Sequence, residues 1–151
     1  MGDMILVDNG NIYRFGDWFS ITLPNKWEFE FEEEILNIYS IVNPKGVLQI
    51  SFYRNHNNDA LEDIAKNKLD NFIQQFLIEI NNNTYKIIET PSFVIANVSG
   101  KNNNDYIKVW IIVNEDKLLL ITYNSATKTR ELSKVDDIVY SIDFTCSYDI
   151  E

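Results

Sequence analysis

The sequence predicts an α+β protein, built as a twisted antiparallel β-sheet that is sandwiched by helices. Three observations predict this class: short segments with alternating polar and apolar residues, turn signals that join them into hairpins, and two segments with helical periodicity. Strands joined by short turns must run in opposite directions, so consecutive hairpins favour antiparallel pairing. Segments that are apolar on both sides, such as residues 35–42, indicate a sheet covered on both faces.

The first strands are predicted before residue 55. Residues 18–24 form an extended segment that ends at Pro24, which cannot donate a hydrogen bond to a sheet. In residues 27–31 aromatic rings alternate with glutamates, which predicts a half-buried strand with its carboxylates outward. Residues 35–42 and 47–54 flank Asn-Pro-Lys-Gly, which suits a type I turn, so we expect a hairpin there.

A long helix is predicted over residues 60–80. Asp59 and Glu62 have the spacing of a capping box at its start. Apolar side chains recur at steps of three and four, which places them in one stripe along the helix. The members of this stripe are Leu61, Ile64, Ala65, Leu69, Phe72, Phe76 and Ile80. The polar sequence NNNT at residues 81–84 is expected to end the helix as a loop.

The second half of the chain predicts more strands and a second helix. The expected strands are 85–89, 92–99, 106–113 and 118–123, of which the last two flank an Asn-Glu-Asp-Lys turn. A helix is expected over about 129–141, and residues 141–144 are expected to add a short last strand. The inner face of this helix is predicted to carry Leu132, Val135, Val139 and Ile142.

Length, cysteine content and the lack of a recognisable membrane span or signal region predict one cytoplasmic domain. The chain has 151 residues, which fits the roughly 100–200 residues of a single domain. We expect one domain over residues 1–151, with a core at about 18–144, a short N-terminal segment and a C-terminal tail. The single cysteine, Cys146, excludes an internal disulfide framework and a multi-cysteine zinc site. Apolar runs are too short for a membrane span, and the start lacks a basic signal-peptide region.

The charge balance narrows the range of partners. Thirteen Lys and Arg against 23 Asp and Glu give a net charge of −10. Much of it lies at the ends, because residues 1–34 hold eight acids and two bases, and residues 136–151 hold five acids and no base. Phosphate backbones and anionic membranes are bound by clustered Lys and Arg, so neither is an expected partner. We expect another protein, of basic character, and the sequence leaves the oligomeric state open.

Catalytic and cofactor motifs are weak or missing in the sequence. The only histidine, His56, lies in a polar loop, and Cys146 lies in the tail, which is too little to infer a nucleophile–base pair. The five glycines never approach a dinucleotide-binding or P-loop pattern, and no EF-hand spacing is found. We therefore expect no catalysis, no cofactor and no metal.

An acidic run is the main candidate binding feature. It begins at Trp27, and two interpretations of that ring are open. Either the ring anchors a partner at an interface whose rim is acidic, or it lies on the core side of a strand whose solvated edge is acidic. The binding hypothesis assigns partner contact to Trp27, Glu28, Glu30, Glu32, Glu33 and Glu34.

Four motifs together carry a family resemblance. They are FSITLPNKW (19–27), ILNIYSIVNPKGVLQISFY (35–53), WIIVNEDKLLLITYNS (110–125) and IVYSIDF (138–144). In this order they resemble bacterial families of unknown function with the PsbP-like (Mog/PsbP) fold, over most of residues 18–144. The resemblance implies an antiparallel sheet sandwiched by helices and a scaffold used for protein binding, since that fold group includes a photosystem II extrinsic subunit and a nuclear-transport factor. It implies no shared catalytic residues.

The preferred functional hypothesis is a non-catalytic bacterial interaction module that binds a basic partner through its acidic edge. An immunity-type protein that covers a basic effector is one version of it. Two alternatives stay open. The first is a small hydrolase or ligand-binding protein with a pocket between sheet and helix, and the second is a structural accessory subunit.

Overall fold

A computed structural model describes residues 4–6, as backbone only, and residues 11–144. Numbered along the sequence, the strands and helices of this part of the chain are β1 Met4–Leu6, β2 Ile12–Phe15, β3 Phe19–Thr22, β4 Trp27–Glu32, β5 Ile35–Ser40, β6 Gly46–Arg54, α1 Leu61–Phe76, β7 Glu79–Glu89, β8 Val94–Asn102, β9 Asp105–Val113, β10 Lys117–Ser125 and α2 Glu131–Tyr140.

Seven strands form one antiparallel sheet in the order β4-β5-β6-β10-β9-β8-β7. The two predicted hairpins, β5–β6 and β9–β10, are confirmed by their antiparallel registers. The pairing of β6 with β10 joins the first three strands to the last four. Strands β1, β2 and β3 form a separate small sheet. The α+β class with an antiparallel sheet is therefore confirmed.

The two faces of the large sheet pack against different elements. Along β9 the side chains alternate between the two faces: Trp110 and Ile112 belong to one buried cluster, whereas Val109 and Ile111 belong to the other. We call the first side the α2 face, because Val135, Ile138 and Val139 of α2 pack there. The second is the α1 face, where α1 packs.

The α2 face is covered by helix α2 and by the small sheet. Phe15 of β2 meets Phe29 and Phe31 of β4 edge to face, with ring centroids 5.4 and 5.9 Å apart. Such aromatic pairs add to the ~1.5–3 kcal/mol that burial of each large apolar side chain contributes. Strand β2 is not among the predicted strands, and it brings Phe15 into the core at 2% exposure. The short N-terminal segment thus helps to cover the sheet.

Helix α1 covers only part of the α1 face. Its packed residues Ile64, Ala65 and Leu69 are almost fully buried, and its main contacts are with β7, β8 and β9. At the other end of the sheet, Tyr53 and Ile35 are still 51% and 37% exposed. Within the described residues, the α1 face of β4, β5 and β6 therefore has no helix packed over it. No described helix is long and apolar enough to cross a membrane.

The end of α1 differs from the prediction. The helix stops at Phe76 because Leu77 takes a left-handed conformation with φ of 54°, and the Ile78 amide then donates to the Ile73 carbonyl at 3.0 Å. Residue 80 and the predicted loop 81–84 lie instead within β7. The polar run forms a bulge there, in which the Thr84 hydroxyl donates to the Asn81 carbonyl at 2.7 Å.

The predicted start of α1 and the strand predicted after α2 also need correction. The N-cap of α1 is Ala60 without a side-chain cap, and the predicted cap, Asp59, instead donates its amide to Asn57 Oδ1 at 2.8 Å. Residues 141–144 do not form a strand. They make one isolated bridge, in which Ser20 and Asp143 exchange backbone hydrogen bonds of 3.0 Å. Helix α2 itself is confirmed at Glu131–Tyr140.

Candidate functional site

The main candidate site is the part of the α1 face that α1 leaves uncovered. Strand pairing places Glu30, Asn37, Gln49 and Thr122 side by side in one row across β4, β5, β6 and β10. Four strands about 4.8 Å apart make this surface about 14 Å wide. We call it the open face, and its side chains are Glu28, Glu30, Glu32, Ile35, Asn37, Tyr39, Gln49, Ser51, Tyr53, Thr122 and Asn124.

A chain of side-chain hydrogen bonds crosses the open face. Gln49 Nε2 donates to Asn37 Oδ1 at 2.9 Å, and Asn37 Nδ2 donates to Glu32 Oε1 at 3.3 Å. Asn37 is only 6% exposed, so its amide is a buried polar group with both ends satisfied. The chain holds the Glu32 carboxylate in position at the rim of the sheet.

The acidic edge consists of Glu28, Glu30, Glu32, Glu33 and Glu34, and the structure leaves all five exposed. None of the ion pairs found among the described residues involves them. Tyr39 lies directly opposite Glu28 across the β4–β5 pair. Desolvation raises the pKa of Tyr39, and the nearby charges of Glu30 and Glu28 raise it further. The edge therefore carries negative charge that the described residues do not neutralise.

Trp27 does not share the exposure of the carboxylates. It is 8% exposed and packs in the cluster on the α2 face, on the opposite side of β4 from Glu28. Its amide donates to the Pro24 carbonyl at 3.3 Å. The structure therefore supports the core interpretation of this ring, and the exposed part of the acidic run consists of carboxylates alone.

Strand β4 is also the outer strand of the large sheet. The Ile41 amide donates to the Lys26 carbonyl at 2.9 Å, which makes residues 26 and 41 a hydrogen-bonded pair. Since such pairs alternate along an antiparallel ladder, the main-chain groups of Phe29 and Phe31 point away from β5. No described strand pairs with them on that side. This edge offers donors and acceptors to an added strand.

A cleft of about 550 Å³ lies between α1 and the sheet, at the end of β6. A second hollow of about 310 Å³ continues from it along the open face, and Phe72 and Leu120 line both. His56 lines the first cleft. The hydrolase alternative anticipates convergent carboxylates in such a pocket, and the residues that line this cleft include no Asp or Glu.

The structure does not assemble the catalytic pair considered in the sequence. Cys146 lies outside the described residues, so its distance to His56 is not defined. Among the residues that the structure describes, no group of three or more His, Cys, Asp and Glu side chains is arranged to hold a metal ion.

Sequence patterns do not single out the cleft residues. Tyr53, Lys68 and Phe72 are separated by up to 19 positions (72 − 53) and meet only because α1, which packs on β7, β8 and β9, borders the same cleft as the end of β6. The one available signal is the polar segment around His56, which the sequence places in a loop between a strand and a helix.

Comparison with known proteins gives a fold and no family. No protein-family model matches the chain, and no curated protein sequence matches it. The chain is similar in fold to a crystal structure from Bacteroides thetaiotaomicron VPI-5482, with a TM-score of 0.57 and 14% sequence identity. The match covers 83% of this chain and 44% of that chain, so this chain spans less than half of the Bacteroides chain. At this identity the likeness concerns the fold alone.

Proposed function

We propose that the protein is a non-catalytic interaction module of the bacterial cytoplasm, and that it binds a basic protein through the acidic edge. One observation carries the proposal: Glu28, Glu30 and Glu32 stand on one side of an outer strand, exposed and without a described cation beside them. Alternate residues on a strand are about 7 Å apart. A partner with Lys or Arg at alternate positions of an extended segment matches this spacing.

The open main-chain edge of β4 supports the same mode of binding. An extended segment that pairs with Phe29 and Phe31 adds a strand to the sheet, and the main-chain hydrogen bonds supply affinity that is independent of sequence. The row of carboxylates then selects a basic segment and repels an acidic one. An immunity-type protein that covers a basic effector fits this description.

We also propose that the chain belongs with the PsbP-like proteins. An antiparallel sheet with α1 on one face and α2 on the other supports this, together with the order of the four motifs. Because scaffolds of one fold serve unrelated functions, the resemblance supports protein binding only as a general mode.

The test compares two variants of equal charge. E28Q/E30Q/E32Q removes three carboxylates from the acidic edge, and E79Q/D105N/E115Q removes three exposed carboxylates elsewhere. Partners are captured from the native host's lysate at low salt with each variant and with the unaltered protein. The dissociation constant of the captured protein is then measured by calorimetry at low and high salt.

We expect the acidic-edge variant to bind roughly tenfold to hundredfold more weakly, because each exposed charge pair contributes a modest amount. Its affinity should also depend less on salt. The control variant should bind like the unaltered protein. Equal binding by the two variants contradicts a role for the acidic edge.

A further inference from the structure

We propose that the cleft between α1 and β6 binds a small organic anion with an apolar body, such as a medium-chain or aromatic carboxylate. Its volume of about 550 Å³ falls within the ~300–1,000 Å³ of small-molecule sites. The proposal does not depend on the acidic edge, because none of the five carboxylates of that edge lines the cleft. It rests on the apolar floor of the cleft and on a polar rim that includes Lys68 and His56.

The floor of the cleft is apolar. Leu118 and Leu120 of β10 and Ile111 of β9 present their side chains from the α1 face, and Phe72 of α1 forms the adjoining wall. Leu120 and Phe72 are only partly buried by the protein itself. An apolar ligand body that covers them would remove this surface from water, which is favourable in proportion to its area.

The rim includes a hydrogen-bonded loop that presents a histidine. Asn55 donates from Nδ2 to the Asn114 carbonyl at 2.8 Å and accepts the Asn57 amide at 3.0 Å. Asn57 in turn accepts the Asp59 amide at 2.8 Å. These bonds use the asparagine side chains to hold the loop. His56, which lies between them, has no described hydrogen bond or ion pair and faces the cleft.

The free positive charge of the rim comes from Lys68. Arg54 also lines the cleft, but its guanidinium is paired with Asp116 at 2.7 Å and Asp17 at 3.3 Å. Lys68 is exposed on α1 and belongs to none of the described ion pairs. In a protein of net charge −10, a lining with Lys68 and His56 and without Asp or Glu favours an anion over a cation.

The test is a nuclear magnetic resonance titration with sodium octanoate. 1-Octanol and octylamine are matched probes with the same chain and a neutral or a cationic head. We expect saturable shifts of the amides of Ile111, Leu118 and Leu120, and about tenfold tighter binding of octanoate than of either matched probe. K68Q should weaken octanoate binding roughly fivefold and leave octanol binding unchanged. K134Q, on the exposed side of α2, is the control and should change neither.

Three results would overturn the proposal: no saturable shifts at millimolar octanoate, equal affinity for octanoate and octylamine, or equal octanoate binding by K68Q and K134Q. E28Q/E30Q/E32Q should bind octanoate like the unaltered protein. A failure of this site is therefore distinct from a failure of the acidic edge.

Discussion

Replacing Glu131 with alanine should destabilise the protein more than the removal of a half-exposed carboxylate usually does. Glu131 lies in the first turn of α2. Its Oε1 accepts the Tyr123 hydroxyl at 2.8 Å and the Gly46 amide at 3.2 Å, while Oε2 accepts the Lys45 amide at 3.2 Å. One carboxylate thus joins α2, strand β10 and the start of β6.

The expected loss follows from these three hydrogen bonds. Tyr123 is 0% exposed, so its bond to a charged acceptor is worth about 1.5 kcal/mol. The two amide bonds are nearer to solvent and contribute about 0.5 kcal/mol each. A carboxylate in the first turn of a helix adds about 0.3–1 kcal/mol through the helix dipole. The sum is about 3 kcal/mol, equivalent to a fall in melting temperature of about 6–12 °C for a chain of this size.

Urea unfolding followed by circular dichroism measures this loss. E115A, an exposed carboxylate in the β9–β10 turn, is the control and should change stability by less than about 0.5 kcal/mol. A double-mutant cycle of E131A with Y123F isolates their shared hydrogen bond, and we expect a coupling of about 1 kcal/mol. A loss for E131A no larger than that for E115A, or a coupling near zero, would refute the reasoning.

Two further predictions concern backbone strain and alkaline pH. Leu77 is 83% exposed and holds a left-handed conformation, so L77G should stabilise the protein by about 1 kcal/mol, measured by urea unfolding, whereas L77V should destabilise it. Burial, and then the hydrogen bond to Asp70, raise the pKa of Tyr85 well above its ordinary value. Its contribution to stability is therefore complete below the unfolded pKa of about 10 and is lost as the pH rises from there through the folded pKa. Y85F should make alkaline unfolding, followed by circular dichroism and tyrosinate absorbance, less steep; an identical profile would contradict this.

Elements with strong periodicity could be predicted from the sequence, and elements set by tertiary context could not. The alternation along β9 places Trp110 and Ile111 on opposite faces, as found. The end of α1 could not be predicted because neither glycine nor proline marks it: Leu77 itself takes the left-handed conformation. The polar run after it enters β7 because Thr84 and Ser99 bond across the strands at 2.9 Å and stabilise a bulge.

For the candidate site, the direction of the glutamates could be predicted from the sequence, but the coverage of the two sheet faces could not. The outward direction of Glu28 and Glu30 follows from two-residue periodicity, and their exposure confirms it. Trp27 is buried in the same cluster as Phe15 of the unpredicted β2, which packs against Phe29 over that side of β4. Periodicity also could not indicate which strands α1 covers, because that depends on how the chain crosses the sheet between β6 and β7. The open face and the cleft both follow from that crossing.

The pairing of β6 with β10 has a consequence for how the protein folds. Strands β4–β6 and β7–β10 are each local meanders in which every strand pairs with its neighbour in sequence. Their single junction in the described sheet joins residues 63 positions apart at one end (117 − 54) and 79 at the other (125 − 46). Closing so long a loop costs conformational entropy of the chain before the stabilising contacts between β6 and β10 form. We therefore expect the two meanders to form early and separately, and the pairing of β6 with β10 to limit the folding rate.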